Sequence, residues 1–214
     1  MIFKKKRLHL DSLNSQVTNL SIDRSSVRIA IIDDLDVPYL ENLRNCGYTN
    51  VYHYRDIDNF EMLSSYSVIV CDIRDVGKKL SNREGAFIIQ QLRKIYPDKY
   101  IIAMSSNLFA LPIQSYISTA DAKIKRDSSP DKILEEIEQG VKTMNSKKLR
   151  WLRMRDHLLK EHQMDLYDVW LLEQEFIRSV QNNNRKFFEN SKITQHSGDM
   201  LKGLLVNFIS GIIF

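Results

Sequence analysis

Three acidic side chains close two apolar runs. Arg28-Ile29-Ala30-Ile31-Ile32 leads into Asp33-Asp34, and Val68-Ile69-Val70-Cys71 leads into Asp72. Short apolar, β-prone runs of this kind read as strands buried on both faces of a parallel sheet. An acid closing such a strand sits at the carboxyl edge of an open α/β sheet, where ligands bind. A lone acid after a strand is most often a turn or cap residue, which is the reading for Asp36 and Asp127. Two strands ending in acids suggest one ligand site built from both. Ser105, after Tyr100–Met104, and Lys125-Arg126, after Ala122-Lys123-Ile124, end two further runs with polar groups.

The elements that must carry these residues can be traced from Val27 onward. Strands are predicted up to Asp33, over Val51–Tyr54, over Val68–Asp72, over Tyr100–Met104 and over Ala122–Lys125. The first helix is predicted to start near Asp36, with Pro38 in its first turn, Leu40 and Leu43 inward and Gly47 at its end. Phe60, Met62 and Leu63 form a short helix before the third strand. A long loop, Arg74–Glu84, leads to a helix with Phe87, Ile88, Leu92 and Ile95 toward the sheet. A weak helix is predicted around Leu111–Ser118. A last one is capped at Ser128-Ser129 and buries Ile133, Leu134, Ile137 and Val141. Strands alternating with helices predict a right-handed, mostly parallel α/β sheet.

Composition narrows the chemistry. The 214 residues are 43% hydrophobic and 27% charged, which is ordinary globular material, and the net charge of +4 permits nucleic-acid contact without arguing for it. Cys46 and Cys71 stand apart, outside metal or redox spacing, and read as reduced thiols of a cytoplasmic protein. The five histidines show no metal spacing; His157 and His162 share a helical region but miss the i, i+4 arrangement. No nucleophile–His–acid set and no glycine-rich phosphate loop is present. The basic start is followed by no long apolar segment, so no signal peptide is expected. No stretch reaches the roughly 18 apolar residues of a membrane span.

Asp33-Asp34 after the first strand, Asp72 after the third, Ser105 after the fourth and a basic residue after the fifth together resemble the receiver domain of two-component response regulators. The segment from Ala120 to Pro130 is similar, without gaps, to the end of many receivers. The resemblance covers roughly Val27 to Met144. It implies a flavodoxin-like (βα)5 fold with a parallel five-stranded sheet. It also implies a phosphoacceptor signalling domain, not an enzyme beyond autocatalytic phosphotransfer and dephosphorylation. Mg²⁺ would be held by Asp33, Asp34, Asp72 and the backbone carbonyl of Arg74, because crowded carboxylates are best satisfied by a hard divalent cation. Asp72 would be the nucleophile toward a phosphohistidine donor on a histidine kinase or phosphotransfer protein. Ser105 would hydrogen-bond the phosphoryl oxygen and report phosphorylation to the helical face after strand four. Arg126, or Lys125 beside it, would pair with the same group.

The sequence departs from the family pattern at several positions. Arg126 stands where the family has lysine, and a planar fork replaces a point charge. Lys123 falls on the aromatic switch position of strand five. Asp75-Val76 replaces the usual Met-Pro, and the loop before Gly85 is longer than the family's. These departures raise an alternative, a degenerate receiver acting as an interaction module independent of phosphorylation.

Domain boundaries follow from where the strand signal starts and stops: an extension over 1–26, the receiver-like domain over 27–144 and an all-helical region over 145–214. Trp151, Leu152, Met154, Leu158 and Leu159, then Leu166, Val169, Trp170, Leu172 and Phe176, have helical spacing and are expected inward, with breaks at Asn182–Asn184 and Ser197-Gly198. Lys147–Arg155 is basic with apolar residues interleaved. A DNA-reading helix would look like this, but the solvated face of an amphipathic helix is commoner. The stripe Leu201, Leu204, Leu205, Phe208, Ile209 and Ile212 could pack on its own domain, a partner subunit or a membrane surface. The preferred expectation is a helical region that forms a homodimer or binds a partner protein.

Overall fold

The computed structural model describes residues 7–16, 24–106, 115 and 117–213. The chain divides into two compact units, Ser21–Asn145 and a second made of Met1–Leu20 with Ser146–Phe214. In the first unit β1 (Ile29–Ile32), β2 (Val51–Tyr54), β3 (Val68–Asp72), β4 (Tyr100–Ser105) and β5 (Ala122–Lys125) form one parallel sheet. Their order is β2-β1-β3-β4-β5, the flavodoxin-like doubly wound arrangement, which reverses direction between β1 and β3.

Both faces of the sheet are covered, so β1, β3 and β4 are buried along their whole length. Ile29, Ile31, Val68, Val70, Ile102, Met104 and Ile124 lie on one face with Leu43 of α1 (Leu40–Asn45) and Ile133, Ile137 and Val141 of α3 (Pro130–Asn145). Ala30, Ile32, Ile69, Cys71, Ile101 and Ala103 lie on the other, with Ile88, Ile89 and Leu92 of α2 (Glu84–Ile95). The entry to α2 is tied to the end of β3. Gly85 N–H donates to the Ile73 carbonyl at 3.1 Å, and a Cβ on Gly85 would lie 1.9 Å from the Asp72 carbonyl oxygen. Only glycine lets the helix start this close behind Asp72.

Beyond one-residue shifts at the ends of β1 and β4, three elements differ from the sequence reading. α1 begins at Leu40, not near Asp36, because the backbone after β1 is used in turns: Leu35 N–H donates to Asp33 Oδ1 at 2.9 Å and Leu40 N–H to the Val37 carbonyl at 3.2 Å. The short helix before β3 is a single 3-10 turn, Glu61–Leu63. On α2 the inward stripe takes in Ile89 and leaves Ile95 38% exposed. The helix expected around Leu111–Ser118 falls mostly outside the described residues.

The second unit is helical: α4 (Lys147–Lys160), α5 (Leu166–Gln181), α6 (Lys186–Glu189), α7 (Lys192–His196) and α8 (Asp199–Ser210). Side-chain caps start three of them, Ser146 for α4, Asp165 for α5 and Ser191 for α7. Trp151 and Phe176 stack at 4.8 Å in a core shared with Phe188 and Phe208. Leu205, Phe208, Ile209 and Ile212 are buried in this same core, so the apolar C-terminal stripe packs on its own unit. Leu166 and Trp170, expected inward, are 59% and 37% exposed. Leu8, Leu10 and Leu13 also pack here, and Gln174 pairs with both the N–H and the carbonyl of Leu8. Among the described residues no helix is long and apolar enough to cross a membrane.

Candidate functional site

At the carboxyl edge of the sheet, Asp33 and Asp34 follow β1 and Asp72 ends β3. One oxygen from each lies within 4.8 Å of the others. Asp33 and Asp72 are each 4% exposed and Asp34 is half-buried. Register explains the convergence. Ile32 pairs with Cys71 in adjacent strands, so Asp33 and Asp72 are next in step and share the face of Ile31 and Val70. The loop after β1 is then fixed from behind. His53 Nε2–H donates to the Asp33 carbonyl at 2.7 Å, and Arg55 donates to the Asp34 carbonyl at 2.5 Å.

Of the basic residues after β5, the one that reaches the acids is Arg126. Its Nη2 contacts Asp72 Oδ2 and lies 3.1 Å from Asp33 Oδ1. Lys123 and Lys125 are exposed, and neither forms an ion pair among the described residues. Strand alternation accounts for the choice. Ile124 points to the face that carries Asp33 and Asp72, and Arg126, two residues on, continues that side. Lys123 and Lys125 have the opposite parity. Ser105 ends β4 one residue beyond Met104, the register partner of Asp72; its side chain is buried, and its carbonyl accepts from Arg126 N–H at 3.1 Å. Arg74 follows on the exposed start of the loop.

Burial pushes the Asp72 carboxyl up to about 6; the Asp33 charge adds to the rise, while Arg126 and the Ile73 N–H work against it. Burial also opposes the charge on Arg126, but the attraction of Asp72 and Asp33 outweighs it and its pKa is raised. With the three acids ionised, one guanidinium leaves the cluster with two uncompensated negative charges. An all-carboxylate oxygen set carrying that charge fits a hard divalent cation. Cys71, next to Asp72 in β3, is fully buried, and burial pushes its thiol well up, so it is a packing residue and not a nucleophile.

One feature of the edge, Tyr39, escaped the sequence reading. Tyr39, just before α1, is buried, with its hydroxyl on Met104 Sδ at 3.8 Å; burial, then the charge of Asp33, raises its pKa. Its place depends on where α1 starts, which no sequence signal gave. The long loop from Arg74, expected from the sequence, is pinned at both ends. Gly77 N–H donates to Asp56 Oδ1 at 2.5 Å and Asp75 N–H to Glu84 Oε2 at 3.0 Å. Asp75, Gly77 and Glu84 all adopt positive φ, at 62°, 74° and 54°.

In the helical unit the basic segment of α4 is engaged inside its own structure. Lys148 pairs with Asp11, Arg150 donates to the Gly211 carbonyl at 2.8 Å, and Trp151 Nε1–H donates to Glu173 at 2.7 Å. His157 and His162 meet edge to face at 5.2 Å between ring centroids. The metal-type cluster found among the described residues is the Asp33–Asp34–Asp72 set alone.

No protein-family model and no curated protein matches this chain. Solved structures similar to it are receiver domains. A receiver domain protein of response regulators (CheY-like) from Methanospirillum hungatei JF-1 is 22% identical, with 56% of this chain and 96% of that one covered and a TM-score of 0.46. A response regulator from Thermotoga maritima is 17% identical over 54% and 98% of the two chains, with a TM-score of 0.45. The signal receiver domain of an HD domain-containing protein from Pseudomonas fluorescens Pf-5 is 15% identical over 62% and 96%, with a TM-score of 0.48. The fold itself stands on the strand order and register given above.

Proposed function

We propose that the sheet unit is a phosphoacceptor receiver of a signalling protein, that Asp72 is the acceptor, and that the helical unit delivers the output through protein contacts. The observation that carries this reading is the convergence of Asp33, Asp34 and Asp72 at the carboxyl edge of the sheet, with Arg126 against two of them. Asp33, Asp34 and Asp72, with the Arg74 carbonyl, would hold Mg²⁺, which supplies neutralisation of charge on the transferring group. In the transfer, an Asp72 carboxylate oxygen forms the new P–O bond as the P–N bond of a phosphohistidine breaks, and the departing imidazole takes up a proton. In this reading Arg126 would pair with phosphoryl oxygens bidentately, and Ser105 would donate its hydroxyl to one of them. The histidine donor lies on a kinase or phosphotransfer protein.

Incubation of the full chain with Mg²⁺ and a small phosphodonor tests this. One phosphoryl group per chain is expected on the wild type and none on Asp72→Asn. Absence of phosphorylation in the wild type, with Mg²⁺ bound, removes the mechanism.

A second reading is favoured by one observation: the Arg126 guanidinium is paired with the Asp72 carboxylate. On that reading the unit is a phosphorylation-independent interaction module, and Asp72→Asn leaves partner binding intact.

A further inference from the structure

We infer that Arg126 is a resident counter-cation that competes with a divalent ion for the acidic cluster and sets how tightly the cluster takes that ion. The inference rests on the cation-site reading above and concerns its regulation. A single nitrogen, Arg126 Nη2, touches Asp72 Oδ2 and lies 3.1 Å from Asp33 Oδ1, so it bridges two of the three carboxylates that gather within 4.8 Å. A metal ion drawn to those oxygens seeks the lone pairs that the N–H groups of Nη2 now hold. Asp33 Oδ1 also accepts from Leu35 N–H at 2.9 Å, which leaves it little further capacity. Nη2 and a cation coordinated by both Asp33 Oδ1 and Asp72 Oδ2 therefore exclude each other.

Charge acts in the same direction as geometry. Arg126 lowers the negative charge of the cluster by one, weakening its pull on a divalent ion. A lysine in this position can yield by losing its proton when buried, whereas arginine keeps its charge at any working pH. Release of the acids must therefore be a movement of the side chain. Its 27% exposure gives it a way out toward solvent. Metal uptake and the swing of Arg126 away from Asp33 are then one coupled event. The same freed guanidinium becomes available to an incoming phosphoryl group, so the arginine that departs from the family pattern makes the empty and loaded sites two distinct arrangements.

Calorimetric titration of Mg²⁺ into the full chain, compared with Arg126→Gln and Arg126→Lys, tests the competition without any activity readout. Arg126→Gln should bind Mg²⁺ about tenfold more tightly or better, because removing one charge beside a divalent ion is a large effect even at an effective dielectric of about 20. Arg126→Lys, which keeps the charge but loses the fork, should fall between wild type and Arg126→Gln. Adding Asp72→Asn to Arg126→Gln should cancel the gain, which locates it at this cluster. Equal affinities in the wild type and both variants overturn the competition and leave the cation site standing. No Mg²⁺ binding by any folded variant overturns the cation site itself, and the competition with it. If Arg126→Gln does not fold by circular dichroism, Arg126→Lys decides: tighter binding than wild type supports the competition, and equal binding overturns it.

Discussion

At the edge of the sheet unit one oxygen from each of three carboxylates lies within 4.8 Å of the others, whereas several cations of the helical unit are spread along its helices and paired with neighbours. The net charges of the two units do not reveal this. Ser21–Asn145 holds 16 Lys and Arg against 18 Asp and Glu, a balance of −2, and the rest of the chain holds 15 against 9, a balance of +6. By charge alone the helical unit looks the more strongly marked for a partner. Yet Lys148 is held by Asp11, Arg178 by Glu175 and Arg185 by Glu189, as on a solvated amphipathic surface. Like charges drawn together and buried raise the free energy of the folded state, and such an arrangement marks functional sites more often than packing. Position, and not the total, separates the two units.

The largest expected effect tests whether the helical unit is held by its core. Trp151→Ala removes the ring stacked on Phe176 and should lower that unit's stability by about 3–5 kcal/mol, measured by denaturant unfolding. Mg²⁺ titration of the same variant should match the wild type; a lost cation site would break the division of roles between the units.

Next comes the acidic edge itself. The Asp72 carboxyl, at about 6 in the fold against an ordinary 3.8, holds its proton more tightly in the folded state. Its contribution therefore favours folding below pH about 4 and is lost as pH rises through about 6. Without divalent ions, Asp72→Asn should stabilise the protein by about 3 kcal/mol at neutral pH, from about 1.4 kcal/mol per pKa unit, and should flatten stability between pH 4 and 7. A variant less stable than wild type at pH 7 would show that the carboxylates are structural partners and not a strained site.

Gly85→Ala should cost about 2–3 kcal/mol, because the added Cβ meets the Asp72 carbonyl at 1.9 Å and α2 must back away from β3. Mg²⁺ affinity should fall with it, since the acceptor strand end moves. The smallest effect is expected at Tyr39→Phe, below about 1 kcal/mol, because the hydroxyl's contact is a long one to sulfur at 3.8 Å. A larger loss in thermal unfolding would assign the hydroxyl a stronger role at the acidic edge.

Much of the sheet unit could be read from the residues in order. The bounds of β2, β3 and β5 are as expected, because short β-prone runs ended by polar residues leave little freedom in strand placement. The start of α1 was not legible, since Asp33 and the turn at Val37 compete for the backbone donors of Leu35 and Leu40, a competition decided by the strand end and not by propensity. Tyr39 was missed for the same reason. The choice between Lys125 and Arg126 was in fact available: Ile124 is the apolar, inward residue of β5, and counting two from it reaches Arg126. In the helical unit, spacing identified the core residues Trp151, Val169, Leu172 and Phe176. It misplaced Leu166 and Trp170, because a stripe on a short helix bundle does not say how wide the buried face is.

Chemical trapping of the acceptor tests the assignment of Asp72. After exposure of the full chain to Mg²⁺ and a small phosphodonor, hydroxylamine converts an acyl phosphate to a hydroxamate that peptide mass spectrometry can place. A single hydroxamate is expected, at Asp72, and none in Asp72→Asn. A hydroxamate at any other carboxylate, or none in a wild type that binds Mg²⁺, would contradict the assignment.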